Sequence, residues 1–501
     1  MHKAIARIFS RSILTLKFGQ IDILSKRWAC HDFTRDTIFA LSSGHGKCGV
    51  AVIRTSGPAS REALQLLTGW QRLPAPRKVT LTPVSCPKSG ELLDKGLIVW
   101  FSGPRSFTGE DCCEYHVHGG PAVVRGVLQA LGSIPTLRPA EPGEFTKRAF
   151  QNGKLDLTEV EGLGDLIHAD TEFQRRQALR QMSGELGNLY QGWSRRLVKA
   201  LAHIEAFIDF SEDDNVEDGV LIAVDEQVKR LRNELAQHLT DSRRGERLRD
   251  GVHVVLSGAT NAGKSSLLNV ISQKPAAIVS PIPGTTRDVV ETMLNIGGYP
   301  IILSDTAGLR ASDDPVEMEG IRRAKERQGD ADILVVVIDA SEVPLNKDAL
   351  LNHWQSLLCS TSQAENLGDV IIVLNKVDLL TQSALISLQE LCEGPKIPPV
   401  CFLSCHTGQG VSDFLDILQG SLENICGDPL EGSPSITQMR HRLHLTSCLD
   451  ALGQYPVYRE QDLVLAAEQL RVANRQLGSI TGKVGAEEIL DIIFRDFCIG
   501  K

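Results

Sequence analysis

Gly258-Ala-Thr-Asn-Ala-Gly263-Lys264-Ser265 is the stretch from which the rest of the chain is read. It follows an apolar run from Val252 (His-Val-Val-Leu) and precedes Ser266-Leu-Leu-Asn-Val, so it sits where a strand turns into a helix. The spacing G-x-x-x-x-G-K-S in that context is a phosphate-binding loop. Its glycines let successive N–H groups curl around phosphate oxygens, and the helix N-terminus adds positive potential. Gly258, Asn261, Ala262, Gly263 and Ser266 form the cradle. Lys264 reaches the β/γ-phosphates, and the Ser265 hydroxyl is a Mg²⁺ ligand.

Further pieces follow in chain order. Gly284-Thr-Thr-Arg-Asp288 offers Thr285 and Thr286, with Thr286 as the second Mg²⁺ ligand on a switch loop. Asp305-Thr306-Ala307-Gly308 ends a strand: Asp305 can hold the Mg²⁺ shell, and the Gly308 N–H can sense the γ-phosphate. Asn375-Lys376-Val-Asp378 ends another strand, and the Asp378 carboxylate matches two adjacent N–H groups of guanine. Adenine has no such pair, so a site built on that carboxylate rejects it. Ser404-Cys405-His406 ends the last strand, where the Cys405 N–H can meet guanine O6. The usual form is Ser-Ala-Lys, so a backbone contact survives where a side-chain role for His406 is weakened. Leu309 stands where some GTPases place a water-orienting Gln. It cannot orient water, so the hydrolytic group lies elsewhere or comes from a partner. Asn261 is a candidate ligand for a monovalent cation.

Outward from this loop, strands alternate with helices up to about Ser421: Ile301-Ile-Leu, Ile333-Leu-Val-Val-Val-Ile338, Val370-Ile-Ile-Val-Leu and Val400-Cys-Phe-Leu. That rhythm predicts a mostly parallel sheet wrapped by helices. On either side the texture is helical, from Leu155 to about Phe210, from Val220 to Leu248 and from Ile436 to Phe497, with Gly427–Ser435 as a linker. Thr37–Leu41, Gly49–Arg54, Leu97–Phe101 and Glu114–His118 read as strands, with Glu62–Thr68 helical between them. The expected architecture is α/β plus α: an N-terminal α+β domain (35–152), a discontinuous helical domain (153–249 and 424–501) and an inserted Ras-like P-loop GTPase domain (250–423).

The chain has 501 residues, with 53 Lys and Arg against 62 Asp and Glu, for a net charge of −9. A wholly basic surface is therefore excluded, and an RNA partner must use a local patch. The longest apolar strand run, Ile333–Ile338, is far short of the ~18 residues a spanning helix needs. Residues 1–31 differ: Lys3, Arg7, Arg11, Lys17, Lys26 and Arg27 face one acid, Asp22, among helically spaced Ile and Leu. This pattern predicts a mitochondrial transit peptide over 1–34. Without residues 1–31 the remainder holds 47 basic and 61 acidic residues, a charge of −14. Twelve cysteines show no paired spacing, which predicts free thiols in a reducing compartment.

Other signatures lie outside the nucleotide motifs. They are Ser106-Phe-Thr-Gly-Glu-Asp, Glu114-Tyr-His-Val-His-Gly-Gly-Pro121, Pro142-Gly-Glu-Phe-Thr-Lys-Arg-Ala-Phe150, Asn152-Gly-Lys-Leu-Asp-Leu157 and the terminal Phe497-Cys-Ile-Gly-Lys501. On these residues the chain, from about 36 to 501, resembles the MnmE/TrmE family of tRNA-modification GTPases, and in particular its mitochondrial members. The resemblance implies a homodimer formed through the N-terminal domain and a tetrahydrofolate one-carbon donor (5,10-methylene- or 5-formyl-tetrahydrofolate) bound there. It implies an FAD-dependent partner of the MnmG type, C5 modification of wobble uridine 34 in mitochondrial tRNAs to a taurinomethyl product, and a matrix location. It also implies potassium-dependent GTP hydrolysis coupled to dimerisation of the inserted domains.

By the same resemblance Arg54, Glu114, Lys154 and Lys501 match folate-contacting positions; a folate carries a carboxylate tail suited to Arg or Lys. Asn261, Ser280, Ile282 and Thr285 match K⁺-coordinating positions, Ser280 and Ile282 through backbone carbonyls. Glu317 matches a water-orienting catalytic glutamate, and Cys498 matches a cysteine important for modification. His116 and His118, two apart on a strand, share a face and have a structural or pocket-lining role rather than a metal-binding one. Thr260 stands where relatives often have Pro, and the loop 42–49 is poorer in Gly and Pro than many. Competing readings are an Era-like RNA-binding ribosome-assembly GTPase, which shares the nucleotide motifs but not the flanking signatures, and a scaffold that dimerises on GTP without chemistry.

Overall fold

A computed structural model describes residues 36–210, 219–240, 243–273, 280–281, 291–305, 331–344, 369–392, 398–484, 493–494, 497 and 500. The expected transit segment 1–34 lies outside the described residues. The chain divides into two units, Met1–Lys154 with Phe494–Lys501, and Leu155–Ile493.

The first unit is a six-stranded sheet. Its strands are β1 (Thr37–Leu41), β2 (Cys48–Ser56), β3 (Val79–Ser85), β4 (Leu92–Phe101), β5 (Cys112–Gly119) and β6 (Leu137–Pro139), in the order β3-β4-β5-β2-β1-β6. All pairs are antiparallel except β1 with β6. Alternation decides which face is covered. Ile53, Ile98 and Tyr115 point into a core closed by Leu64 and Leu67 of α1 (Ser60–Thr68) and Val127 and Leu131 of α2 (Pro121–Gly132). Arg54, Glu114 and His116 fall on the opposite face. The expected strands and the helix over 62–68 are present. β3, α2 and β6 were not expected, because their apolar positions are short or interrupted by Pro83 and Gly126.

The tail differs from the reading that kept 424–501 together, since Phe494–Lys501 groups with the first unit. Phe494 and Phe497 are buried. A Cβ on Gly143, before α3 (Glu144–Gln151), would lie 2.4 Å from the Phe494 carbonyl oxygen. The Ser42 hydroxyl donates to the Gly500 carbonyl at 2.9 Å. Close backbone approach, rather than helical periodicity, sets this junction.

In the second unit α4 (Leu157–His168), α5 (Glu172–Met182), α6 (Glu185–Phe210), α7 (Gly219–Leu239) and α8 (Arg244–Asp250) precede the strands. Asp156 with Glu159, and Thr171 with Gln174, form capping boxes that start α4 and α5. The second sheet contains β7 (Val252–Ser257), β8 (Ser280–Pro281), β9 (Glu291–Ile296), β10 (Tyr299–Asp305), β11 (Ile333–Asp339), β12 (Asp369–Asn375) and β13 (Val400–Phe402), in the order β13-β12-β11-β7-β10-β9-β8. Five strands are mutually parallel; β9 runs antiparallel to β10, and β8 antiparallel to β9. The β9–β10 hairpin turns on Gly297 and Gly298, both at positive φ, which a tight two-residue turn requires. Buried residues line both faces: Val254, Leu256 and Val335 on one, Val255, Val336 and Ile372 on the other. α9 (Lys264–Ser272), α10 (Gln382–Leu391) and α11 (Val411–Cys426) accompany the strands.

The chain then returns to helices, α12 (Met439–Arg459) and α13 (Leu463–Thr481). One apolar core joins Tyr190, Leu197, Val224 and Leu231 from before the sheet to Leu445, Leu452, Leu470 and Leu477 from after it. α8 leads directly into β7, and its Arg247 and Arg249 pair with Asp332 and Asp165 at 2.7 Å each.

Candidate nucleotide site and N-terminal polar cluster

The C-terminal ends of β7, β12 and β13 converge on a cavity of about 940 Å³. Open α/β sheets place ligands there, because loops leaving parallel strands splay apart. Gly258, Asn261, Gly263, Lys264, Ser265, Ser266, Asn375, Lys376, Asp378, Ser404 and Cys405 all line it. Ala262 is buried behind the loop.

Two glycines are steric requirements. A Cβ on Gly258 (φ +140°) would lie 2.1 Å from the Val337 carbonyl oxygen, and one on Gly263 (φ +101°) 2.0 Å from Asn375 Nδ2. Asn261 has φ +65°, a left-handed conformation that Asn tolerates better than most residues. Lys264 is almost fully buried, and its Nζ donates to the Gly258 and Ala259 carbonyls at 2.8 Å each. Its charge is thereby held inside the loop that would receive phosphate.

Asn375 ties the site together. It is 1% exposed; its Nδ2 donates to the Ala262 carbonyl at 2.8 Å, and its Oδ1 accepts from the Cys405 N–H at 3.2 Å. One side chain thus fixes the phosphate loop to the last strand's turn. The Ser404 hydroxyl accepts from the Thr407 N–H at 3.2 Å, stiffening that turn. Burial pushes the Cys405 thiol up to about 11, so it stays protonated at neutral pH. Asp305 ends β10 opposite Leu256, on the strand next to the phosphate loop. Ser280 lies in β8. Thr285, Thr286, Ile282, Thr306, Ala307, Gly308 and Glu317 lie outside the described residues.

Sequence reasoning missed Asp339. It ends β11 in register with Asn375, and its Oδ2 receives Lys376 Nζ at 2.6 Å. Its Oδ1 accepts from the Ser341 N–H and hydroxyl at 3.0 and 2.7 Å. Burial pushes this carboxyl up, but the bonds from Lys376 and Ser341 outweigh burial and leave it below the usual carboxylate range. The signal was available, as an acid closing the Ile333–Ile338 run.

In the first unit Arg54 and Glu114 stand directly opposite each other on β2 and β5. Arg54 Nη2 and Nε donate to Glu114 Oε1 at 2.8 and 3.1 Å. The guanidinium lies 5.6 and 5.7 Å from the ring centres of Phe107 and Phe145, within cation–π range. Glu114 Oε2 also meets His116 Nε2 at 3.2 Å. His118 contacts the Asp94 carboxylate through its ring Nδ1 and backbone N–H. The two histidines share the outer face, as expected. Lys154 is exposed and passes close to Gly109, in the loop that carries Phe107. Lys501 and Cys498 lie outside the described residues.

The signatures around this cluster have a structural role that their spacing did not disclose. Arg148 is 2% exposed and pairs with Glu110 and Glu144 at 3.1 Å each; Arg138 pairs with Glu144 at 2.6 Å. Burial pushes Glu144 up, but Arg138, the Glu141 N–H and Arg148 outweigh it and leave the carboxyl below its ordinary value. Asn152 Nδ2 donates to the Thr108 carbonyl at 2.7 Å. These bonds clamp the loop 102–111 against α3, and with it Phe107 over Arg54.

Among the described residues no group of three His, Cys, Asp or Glu is placed to hold a metal, and the nine described cysteines are free thiols. Among the described residues no helix is long and apolar enough to cross a membrane.

Comparison with known proteins matches residues 37–154 to the family model for the N-terminus of the GTP-binding protein TrmE, and residues 157–498 to the MnmE helical domain. The 5-taurinomethyluridine-[tRNA] synthase subunit GTPB3, mitochondrial, of Danio rerio is 58% identical over 488 residues, covering 96% of each chain. The protein of the same name from Homo sapiens is 57% identical over 468 residues, 93% of each chain. The tRNA modification GTPase MnmE of Parvibaculum lavamentivorans is 47% identical over 471 residues, 93% of this chain and all of that one. A match at this level from β1 to the last helix, around a guanine-type nucleotide cavity, means that the chain belongs to the MnmE/TrmE family of tRNA-modification GTPases.

Proposed function

We propose that this chain is the GTP-hydrolysing subunit of the mitochondrial system that modifies C5 of wobble uridine 34 in mitochondrial tRNAs, giving a taurinomethyl product. The observation that carries the reading is the cavity in which Asn375 joins the phosphate loop to the Cys405 turn, in a chain whose relatives are 5-taurinomethyluridine-[tRNA] synthase subunits. In this reading Lys264 leaves its loop carbonyls for the β/γ-phosphates, and Asp378 reads guanine. Ser265 and Thr286 hold Mg²⁺ when it is bound. Asn261, Ser280, Ile282 and Thr285 hold K⁺, and Glu317 orients the attacking water.

The Arg54–Glu114 pair, half-buried beside Phe107 and Phe145, has the donor, acceptor and aromatic faces that a pterin ring with a carboxylate tail requires. With Lys154 and Lys501 it would hold a tetrahydrofolate, which supplies the one-carbon unit when bound. Cys498 serves the modification step. Working as a matrix homodimer with an FAD-dependent MnmG-type subunit completes the proposal.

The test is mass spectrometry of mitochondrial tRNA nucleosides from cells lacking the protein. Taurinomethyluridine should disappear, return with the wild-type chain and stay absent with Lys264→Ala. Unchanged nucleosides in the depleted cells would overturn the tRNA reading. Equal GTP hydrolysis in K⁺ and Na⁺ would overturn the cation assignment.

A further inference from the structure

The Asn375-Lys376-Val377-Asp378 turn places an ammonium and a carboxylate two residues apart in the mouth of one cavity. Lysine carries its charge on a flexible four-carbon stem. Left without another partner, that charge competes with a nucleobase for Asp378, which is exposed. The structure sends it elsewhere. Lys376 has φ +66°, a left-handed conformation, and its Nζ lies 2.6 Å from Asp339 Oδ2 on the neighbouring strand. Asp339 is held in turn by two bonds from Ser341. Among the described residues no ion pair engages Asp378.

We infer that Asp339 is a positioning residue for guanine selectivity: it draws the Lys376 ammonium aside and so keeps the Asp378 carboxylate open to the two adjacent N–H groups of the base. The inference rests on the reading of this cavity as a guanine-nucleotide site. Asp339 does not line the cavity and acts only through Lys376.

Inosine diphosphate lacks the exocyclic amino group and so makes one of the two contacts with Asp378. The ratio of guanosine to inosine diphosphate affinity, by calorimetry on the full chain, therefore reads how open Asp378 is. Both ligands are measured on one preparation, so a partly unfolded sample leaves the ratio unchanged. The wild type should favour guanosine diphosphate about 10- to 100-fold, the range for a hydrogen bond to a charged group. Asp339→Asn should bring the ratio within about threefold of unity and raise KM for GTP about tenfold, with kcat within about twofold. Adding Lys376→Met, which keeps the stem and removes the charge, should restore most of the ratio. A preserved ratio in Asp339→Asn, or no recovery in the double variant, would overturn the inference. A wild type that does not distinguish guanosine from adenosine diphosphate would instead overturn the site reading beneath it.

Discussion

Lys264 is the one cation buried inside the phosphate loop, so its removal should cost transition-state stabilisation rather than fold. Lys264→Ala should lower GTP turnover by about 10²–10³-fold, in the range seen when a charge-stabilising donor is lost. Phosphate-release assays would check this. Gly258 behaves differently, because its Cβ would run into the Val337 carbonyl from a backbone conformation that L-residues avoid. Gly258→Ala should destabilise the sheet by more than about 1 kcal/mol and abolish nucleotide binding, read by thermal melting with and without GDP. Cys405 should resist iodoacetamide at neutral pH, since burial pushes its thiol up to about 11, and should label readily only under strongly alkaline conditions. Peptide mapping across a pH series would show it.

At the level of helices and strands, a buried charge cluster joins α4 to α12. Glu161 Oε1 receives Arg440 Nη2 at 2.8 Å, and Glu161 Oε2 meets His441 Nε2 at 2.7 Å. Burial pushes Glu161 up, but His441 and Arg440 outweigh it and hold the carboxyl below its ordinary value of 4.5. An acid depressed in the folded state contributes stability above its unfolded value and loses it as pH falls. Helical signal should therefore fall progressively as the pH drops below 4.5, and Glu161→Gln should flatten that dependence. The same variant leaves Arg440 facing an uncharged group and should destabilise by about 3–5 kcal/mol in urea titration. None of this was visible in the order of residues, because Glu161 and Arg440 are far apart in the chain. What could be read was local. The β7 run, the Gly258–Ser265 loop and the strands ending at Asp305, Asn375 and Phe402 each announce themselves through spacing. β9 and β3 did not: a hairpin on Gly297-Gly298 and a strand carrying Pro83 depend on partners rather than on their own pattern. Asp339 was legible as the acid closing the Ile333–Ile338 run, but its role was not, because that comes from lying beside Asn375 on another strand.

Across the whole molecule, residues far apart in the chain are built into the same unit. Phe494 and Phe497 are buried, and Gly143 must lack a side chain to admit the Phe494 backbone. Deleting residues 494–501 from the full chain should loosen β1 and α3, measured as faster amide exchange there, while exchange in β7 and α9 stays unchanged. Unaltered exchange in β1 would overturn the structural role given to the tail. There is also a temporal side to this arrangement. Residues up to Lys154 are translated some 340 positions ahead of Phe494, which at roughly 5–20 residues per second is an interval of about 20–70 s. Throughout that interval the seat for the two phenylalanines lacks its occupants. The unit that is synthesised first is therefore the last to be finished, and a prematurely terminated product lacks the two phenylalanines that close its core.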